Sequence, residues 1–248
     1  MMPLLRLVGF DLRLYFRDFL TIFWTLIYPL VMLLIFGSIF GDQPGVVPGT
    51  RYIDSYVAAL CAMNVISVSV FTLNINMITQ RESGVLRRYR VSPIRASYVL
   101  ISHSVQGLFL VLVGALEIIL VASLMWDLSF SIPNLLLLLM CLLFGCLSFF
   151  CLGFALSGWA STPGAGSGLA MAVFFPSLFL SGIAFPIEIM PRFMQTISDF
   201  LPMTHFVMLI QGVWAGEPLT SFGVEWAFVG GFGIVCWVLA FLSFRWEK

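Results

Sequence analysis

Lysine occurs once in this chain, at Lys248, and histidine twice, at His103 and His205. A nucleotide-hydrolysing P-loop needs a glycine-rich turn followed by a lysine on the phosphates, and no such turn precedes a lysine here. ATP hydrolysis by this chain is therefore excluded. The two histidines lie in different regions, no Ser/His/Asp set forms, and the five cysteines all sit inside apolar runs. Cys141, Cys146 and Cys151 recur at a spacing that turns successive ones by about 140° on a helix, so they share no face. They read as small buried hydrophobes. No metal site, no bound cofactor and no enzymatic activity are expected. Charge is scarce too: 10% of the residues carry it, against about 25% in a soluble domain. The net charge is +0, which leaves no electrostatic footprint for nucleic acid.

What the chain has instead is apolar length. Hydrophobic residues make up 60% of it, the composition of a membrane protein. A hydrocarbon core about 30 Å thick takes about 20 apolar residues per helix. Uncharged runs give spans near 20–41, 55–79, 97–125 and 224–244. The run from Leu128 to Ile187 is too long for one helix, and "WASTPGAGSG" (159–168) divides it into spans near 134–158 and 168–185. The uncharged stretch 200–216 is short for a span and starts with a helix breaker, Pro202. It reads as part of a hairpin over 186–222. The expected fold is all-α: one membrane domain over 1–248, with six transmembrane helices and a re-entrant helical hairpin before the last.

Six spans put both termini on one side, and Lys and Arg say which. With the termini in the cytoplasm, Arg6, Arg13, Arg17, Arg81, Arg87, Arg88, Arg90, Arg95, Arg245 and Lys248 are inside, and only Arg51 and Arg192 are outside. The hairpin is then extracellular, and no cleavable signal peptide is expected. Residues 3–18 carry Arg6, Arg13 and Arg17 within about 40° of arc on an otherwise apolar helix. Such a stripe suits an amphipathic helix lying in the inner interface among lipid headgroups.

Three places hold polar residues in pattern. The strip "QRESGVLRRYRVSPIR" (80–95) concentrates Arg81, Glu82, Arg87, Arg88, Arg90 and Arg95 in one cytoplasmic loop. Gly84 frees the chain to turn at its start, and Pro93 stops a short helix. Leu86 and Tyr89 share a face of that helix and offer an apolar anchor. The third span carries His103, Gln106, Gly107, Leu110, Gly114 and Glu117 within about 100° of arc. The second carries Asn64, Ser67 and Asn74. Such stripes face protein or a water-filled path rather than lipid. They serve either as helix-interface hydrogen bonds or as part of a substrate path.

"RESGVLRRYRVSPI" resembles the cytoplasmic loop after the second span of type-2 ABC transporter permeases, through Glu82, Gly84, Leu86 and Ser92-Pro93. "FFPSLFLSGIAFPIEIMPRFMQTISDFLPMTHFVMLIQGVW" (174–214) resembles that family's late signature. It does so through Leu180-Ser181-Gly182, Pro186, Met190-Pro191, Leu201-Pro202, His205 and Gln211. The short chain is most similar to the drug-resistance and nodulation-factor branch. The resemblance implies an export permease of a bacterial inner membrane, working as a homodimer or with a paralogous permease. Two copies of a separate ABC ATPase subunit would bind the ATP and Mg. It implies that Glu82, Gly84, Leu86, Arg87, Arg88, Tyr89, Arg90 and Pro93 form a coupling helix for that ATPase. It also implies that Gly182, Pro186, Pro191, Pro202 and His205 shape an outer gate. Phe23, Trp24, Tyr28, Phe174, Phe175 and Phe179 suit a path for an amphipathic drug or lipid, and equally suit ordinary packing. Export of a lipid-linked polysaccharide and a stand-alone secondary transporter stay open as alternatives.

Overall fold

The computed structural model describes residues 9, 13, 15, 18–45, 47, 49–90, 96–128 and 130–243, apart from the side chains of residues 89, 90 and 96. Six helices are long and apolar enough to cross a membrane: α1 (Phe19–Phe40), α2 (Tyr52–Glu82), α4 (Ala96–Trp126), α5 (Ile132–Trp159), α6 (Pro163–Leu180) and α9 (Gly223–Ser243). Between them lie the short α3 (Val85–Arg90), α7 (Arg192–Ser198) and α8 (Pro202–Trp214). The described residues form no strand, only an isolated bridge between Pro44 and Arg51. The interfacial helix expected over 3–18 falls largely outside the described residues, as do Pro93, Arg95, Arg245 and Lys248.

α2 is the central pillar, buried over its apolar length and packed by α1, α4, α5, α6 and α8. It is less uniformly apolar than its neighbours because it holds them with hydrogen bonds. In a medium without water, any backbone carbonyl released from a helix must find a partner inside the protein. α1 winds as a π-helix over Phe23–Ile27 just before Pro29, which has no N–H to offer the carbonyls of the preceding turn. The Asn64 amide donates to the Thr25 carbonyl at 2.7 Å, and the Ser67 hydroxyl to the Trp24 carbonyl at 2.6 Å. Asn64 lies against Gly114 of α4, where a β-carbon would stand 2.9 Å from its Cγ, so a side chain there would displace it. α2 has its own π segment, Val68–Leu73, packed on that of α1. Below it, Asn74 donates to the Gly166 carbonyl of α6 at 3.1 Å. The polar sprinkling on the second span is thus a set of pins that fix α1, α4 and α6.

α6 begins earlier than the "WASTPGAGSG" stretch suggests. Thr162 caps it, accepting from the Ala165 amide at 3.3 Å, and Pro163 is its first residue. A proline at the first helical position costs no hydrogen bond. The break is therefore only the three residues before Pro163. α8 spans 13 residues, about 20 Å, too short to cross a membrane. It is nevertheless almost wholly buried, wedged against α2, α5 and α9.

Candidate functional site

The basic strip becomes a helix–turn–helix at one end of the bundle. α2 ends at Glu82, Gly84 takes φ +74°, and α3 starts at Val85. That backbone conformation is open to glycine and strained for other residues. Leu86 is 1% exposed and packs with Met77 of α2 and Val99 of α4. The apolar side expected to reach into a partner is therefore turned inward, where it holds α3 onto the ends of α2 and α4. Glu82, Arg87 and Arg88 are exposed on the outer side. Tyr89 and Arg90 belong to α3, but their side chains, like all of Pro93, lie outside the described residues.

Arg81 has a part that the sequence did not suggest. Its Nη2 donates to the Ser157 carbonyl and, at 2.9 Å, to the Ala160 carbonyl at the end of α5. An arginine satisfies the last, otherwise unpaired carbonyls of a helix and complements its negative end. The strip is thereby fastened to α2, α4 and α5 together, through one buried leucine and one arginine.

The polar stripe of α4 divides into two places. His103 and Gln106 are fully buried near the α3 end, with His103 Nε2 3.3 Å from Gln80 Oε1 of α2. Glu117 lies farther along, one turn past Gly114. Its Oε2 is buried and has no hydrogen-bond partner among the described residues. Asn64 Oδ1, beside Gly114, is likewise unpartnered, while its amide nitrogen is used on α1. The stripe thus meets α2 at both ends, and His103 and Glu117 do not share a site.

The aromatic residues of the first and fifth spans come together. Trp24 stacks on Phe71 of α2 at 4.9 Å between centroids and meets Phe174 at 5.8 Å and Phe175 at 5.9 Å. Tyr28 meets Phe174 at 6.0 Å. The row continues from Phe175 to Phe179 to Phe185, each step 6.4 Å, and crosses to Phe36 at 6.2 Å. Phe23 touches Trp24 at its lower end. Phe71, Phe36 and Phe185 were not singled out from the sequence. Phe36 lies about two turns past Tyr28 on α1, whereas Phe185 lies beyond the end of α6, where no helical spacing points to it. This seam between α1 and α6 runs toward the hairpin.

The hairpin is built on its prolines and one glycine. Gly182 has φ +77° and ends α6. Pro186 and Pro191 flank a 3₁₀ turn at Ile187–Ile189, and Pro191 caps α7. Pro202 is the first residue of α8. His205 fastens the hairpin twice, through a 2.9 Å hydrogen bond to the Asp199 carbonyl and a stack on Phe228 of α9 at 4.1 Å.

These features define a polytopic helical membrane protein with a docked surface helix at one end and a short helical cap at the other. The model of the family described as "ABC-2 type transporter" matches residues 4–214. The chain belongs to the ABC-2 type transporter family. It is 41% identical over 49 residues, 20% of this chain and 19% of the relative, to Nodulation protein J of Rhizobium leguminosarum bv. trifolii. The same figures hold for Nodulation protein J of the bv. viciae strain. Nodulation protein J of Rhizobium meliloti (strain 1021) is 36% identical over 53 residues, 21% of this chain and 20% of that protein. Each match covers about a fifth of the relative's length.

Proposed function

We propose that this chain is the membrane-spanning permease subunit of an ATP-driven exporter in a bacterial inner membrane, with both termini cytoplasmic. A separate ABC ATPase subunit, in two copies, docks on the strip from Glu82 to Pro93 and binds the ATP and Mg. A second permease completes the pathway, either another copy of this chain or a paralogue. The observation that carries this reading is the way α3 is mounted. Leu86 fastens it to the ends of α2 and α4, Arg81 at the end of α2 ties that end to α5, and Arg87 and Arg88 stand outward. A push on α3 then reaches three spans at once. α2 passes it to α1 and α6 through Asn64, Ser67 and Asn74.

The substrate in this reading is a hydrophobic or amphipathic molecule, drug or lipid-like, that moves along the aromatic seam of α1 and α6 and leaves past the hairpin. The short matches to Nodulation protein J favour the nodulation-factor branch. Export of a lipid-linked polysaccharide is the second reading. Reconstitution with an ABC ATPase subunit that co-purifies with it tests the proposal. ATP hydrolysis should rise with one class in a panel of drugs and glycolipids, and that rise should vanish when Arg87 and Arg88 are both changed to Glu. A chain that moves substrate down an ion gradient with no ATPase present would overturn it in favour of a secondary transporter.

A further inference from the structure

A cavity of about 430 Å³ opens at the hairpin end of the bundle, apart from the aromatic seam. It is enclosed by the loop before α2, the start of α2, the start of α5 and the end of α8. The lining side chains used below are Asp54, Ser55, Phe130, Asn134, Gln211 and Trp214. The volume falls within the range of small-molecule sites, about 300–1,000 Å³.

The charges at the rim are spent on each other. Arg51 pairs with Asp54 at 3.2 Å, and a second bond runs from its Nε to the same carboxylate at 3.3 Å. The Arg51 amide also donates to that carboxylate at 3.1 Å. The remaining guanidinium donors reach the Trp126 carbonyl at 3.1 Å and the Asp127 carbonyl at 3.5 Å. Asp54 is the one charged side chain of the lining and it is paired, while Asp42 and Asp127 also act on Arg51, so an anion finds no free cation among the described residues. The lining itself offers an occupant no unpaired charge.

The lining is also not apolar. Gln211 is 6% exposed and spends its amide nitrogen on the Ser55 carbonyl at 3.1 Å. Asn134 spends its own on the Trp214 carbonyl at 3.1 Å. Each therefore keeps an amide oxygen that no described residue occupies, fixed in place by the other half of its amide. Beside them Phe130, 42% exposed, stacks on Trp214 at 5.7 Å and 30°. Phe130 offers a flat apolar platform backed by a second ring. Fixed acceptors for hydroxyl groups beside an aromatic platform are what a sugar ring needs. Its equatorial hydroxyls donate at the edge, and its C–H face lies on the ring.

We infer that this cavity is a binding site for a neutral pyranose sugar unit. Phe130 is the platform, and Asn134 and Gln211 are the hydroxyl acceptors. A sugar seated there touches both α8 of the hairpin and the start of α5, so it tethers the cap to the bundle.

The test uses the full chain in lipid nanodiscs prepared without glycosidic detergent, since a maltoside headgroup would itself compete. Saturation-transfer NMR is read with maltose and with cellobiose. Glucose 6-phosphate and glucosamine serve as charged probes of the same ring. Transfer is expected to the ring protons of the neutral sugars, weakened at least about fivefold in Phe130→Ala and in Asn134→Leu. Trp159→Ala, at the far end of α5, should leave it unchanged. Phe130 is partly exposed and Asn134 sits at a helix start, so both variants should fold, and a monodisperse elution profile checks this. No transfer to either neutral sugar overturns the inference. So does transfer that both variants leave intact, or equal transfer to the charged probes. Loss of the signal in the variants with ATPase coupling intact upholds the sugar site separately from the export reading.

Discussion

Replacing Leu86 with Ala isolates the joint on which the account turns. Leu86 is 1% exposed and belongs to a small cluster with Met77 and Val99, flanked by Leu100 and Phe154. Leu→Ala in a packed core costs about 2–5 kcal/mol. This satellite cluster is thin and can partly collapse, so the low end, about 2 kcal/mol, applies. α3 has 6 residues, and a helix that short does not persist without its packing. The loss therefore falls on the docking of α3 rather than on the whole fold. About 2 kcal/mol raises the ratio of undocked to docked α3 roughly 30-fold, since about 1.4 kcal/mol is tenfold. Amide hydrogen exchange over residues 85–90 should quicken by about that factor, while exchange in the core of α2 stays as it was. ATP hydrolysis by the reconstituted pair should lose its response to substrate, because the push no longer reaches α2 and α4. Arg88→Glu should show the reverse pattern, with exchange unchanged and recruitment of the ATPase lost. If Leu86→Ala leaves exchange over 85–90 at the parent rate, the buried leucine does not hold α3 and the reasoning fails.

Three further outcomes are expected. Arg81→Ala strips the cap from the end of α5 and should cost about 1–2 kcal/mol, read as a lowered melting temperature of the purified chain. Glu117→Leu removes a buried oxygen that no described residue satisfies, so thermal stability should hold or rise by about 1 kcal/mol. A lost transport activity in that stable variant would assign Glu117 to the pathway rather than to packing. A single cysteine placed at position 248 should resist a membrane-impermeant maleimide in intact cells, and labelling from outside would reject the inward orientation of the termini.

The six spans were legible because hydrocarbon thickness dictates length, and uninterrupted apolar runs report it directly. α8 was legible as something other than a span for the same reason. Other features depend on who faces whom. Pro163 marks a helix start in the structure but a break in the sequence, because a proline at the first helical position and one inside a helix look alike in a string. Leu86 and Tyr89 were assigned to one face of a short helix. Spacing alone does not say whether that face meets a partner or the ends of α2 and α4, and for Leu86 it meets the latter. Arg81 is one of several arginines in a row, and only its distance to the end of α5 separates it from the others. Glu117 was expected either to bond across helices or to line a path. Its Oε2 finds no partner among the described residues. The π segments at Phe23–Ile27 and Val68–Leu73 left no trace in composition. Their necessity shows only in Asn64 and Ser67, polar residues that looked like packing glue and act on two specific carbonyls. The aromatic residues singled out in the first and fifth spans lie together, but Phe71, the ring that joins the seam to the central pillar, lies on a span read for its polar residues.

The central claim is that α3 is where a separate ATPase drives this permease. A photoreactive amino acid at position 88, on the exposed side of α3, tests it in one measurement on membranes containing both subunits. The account predicts a crosslink to the ATPase whose yield changes between nucleotide-free and ATP-bound conditions, and no such crosslink from position 193 on α7 of the hairpin. A position 88 probe that captures only lipid, in membranes where ATP-dependent export is active, would contradict it.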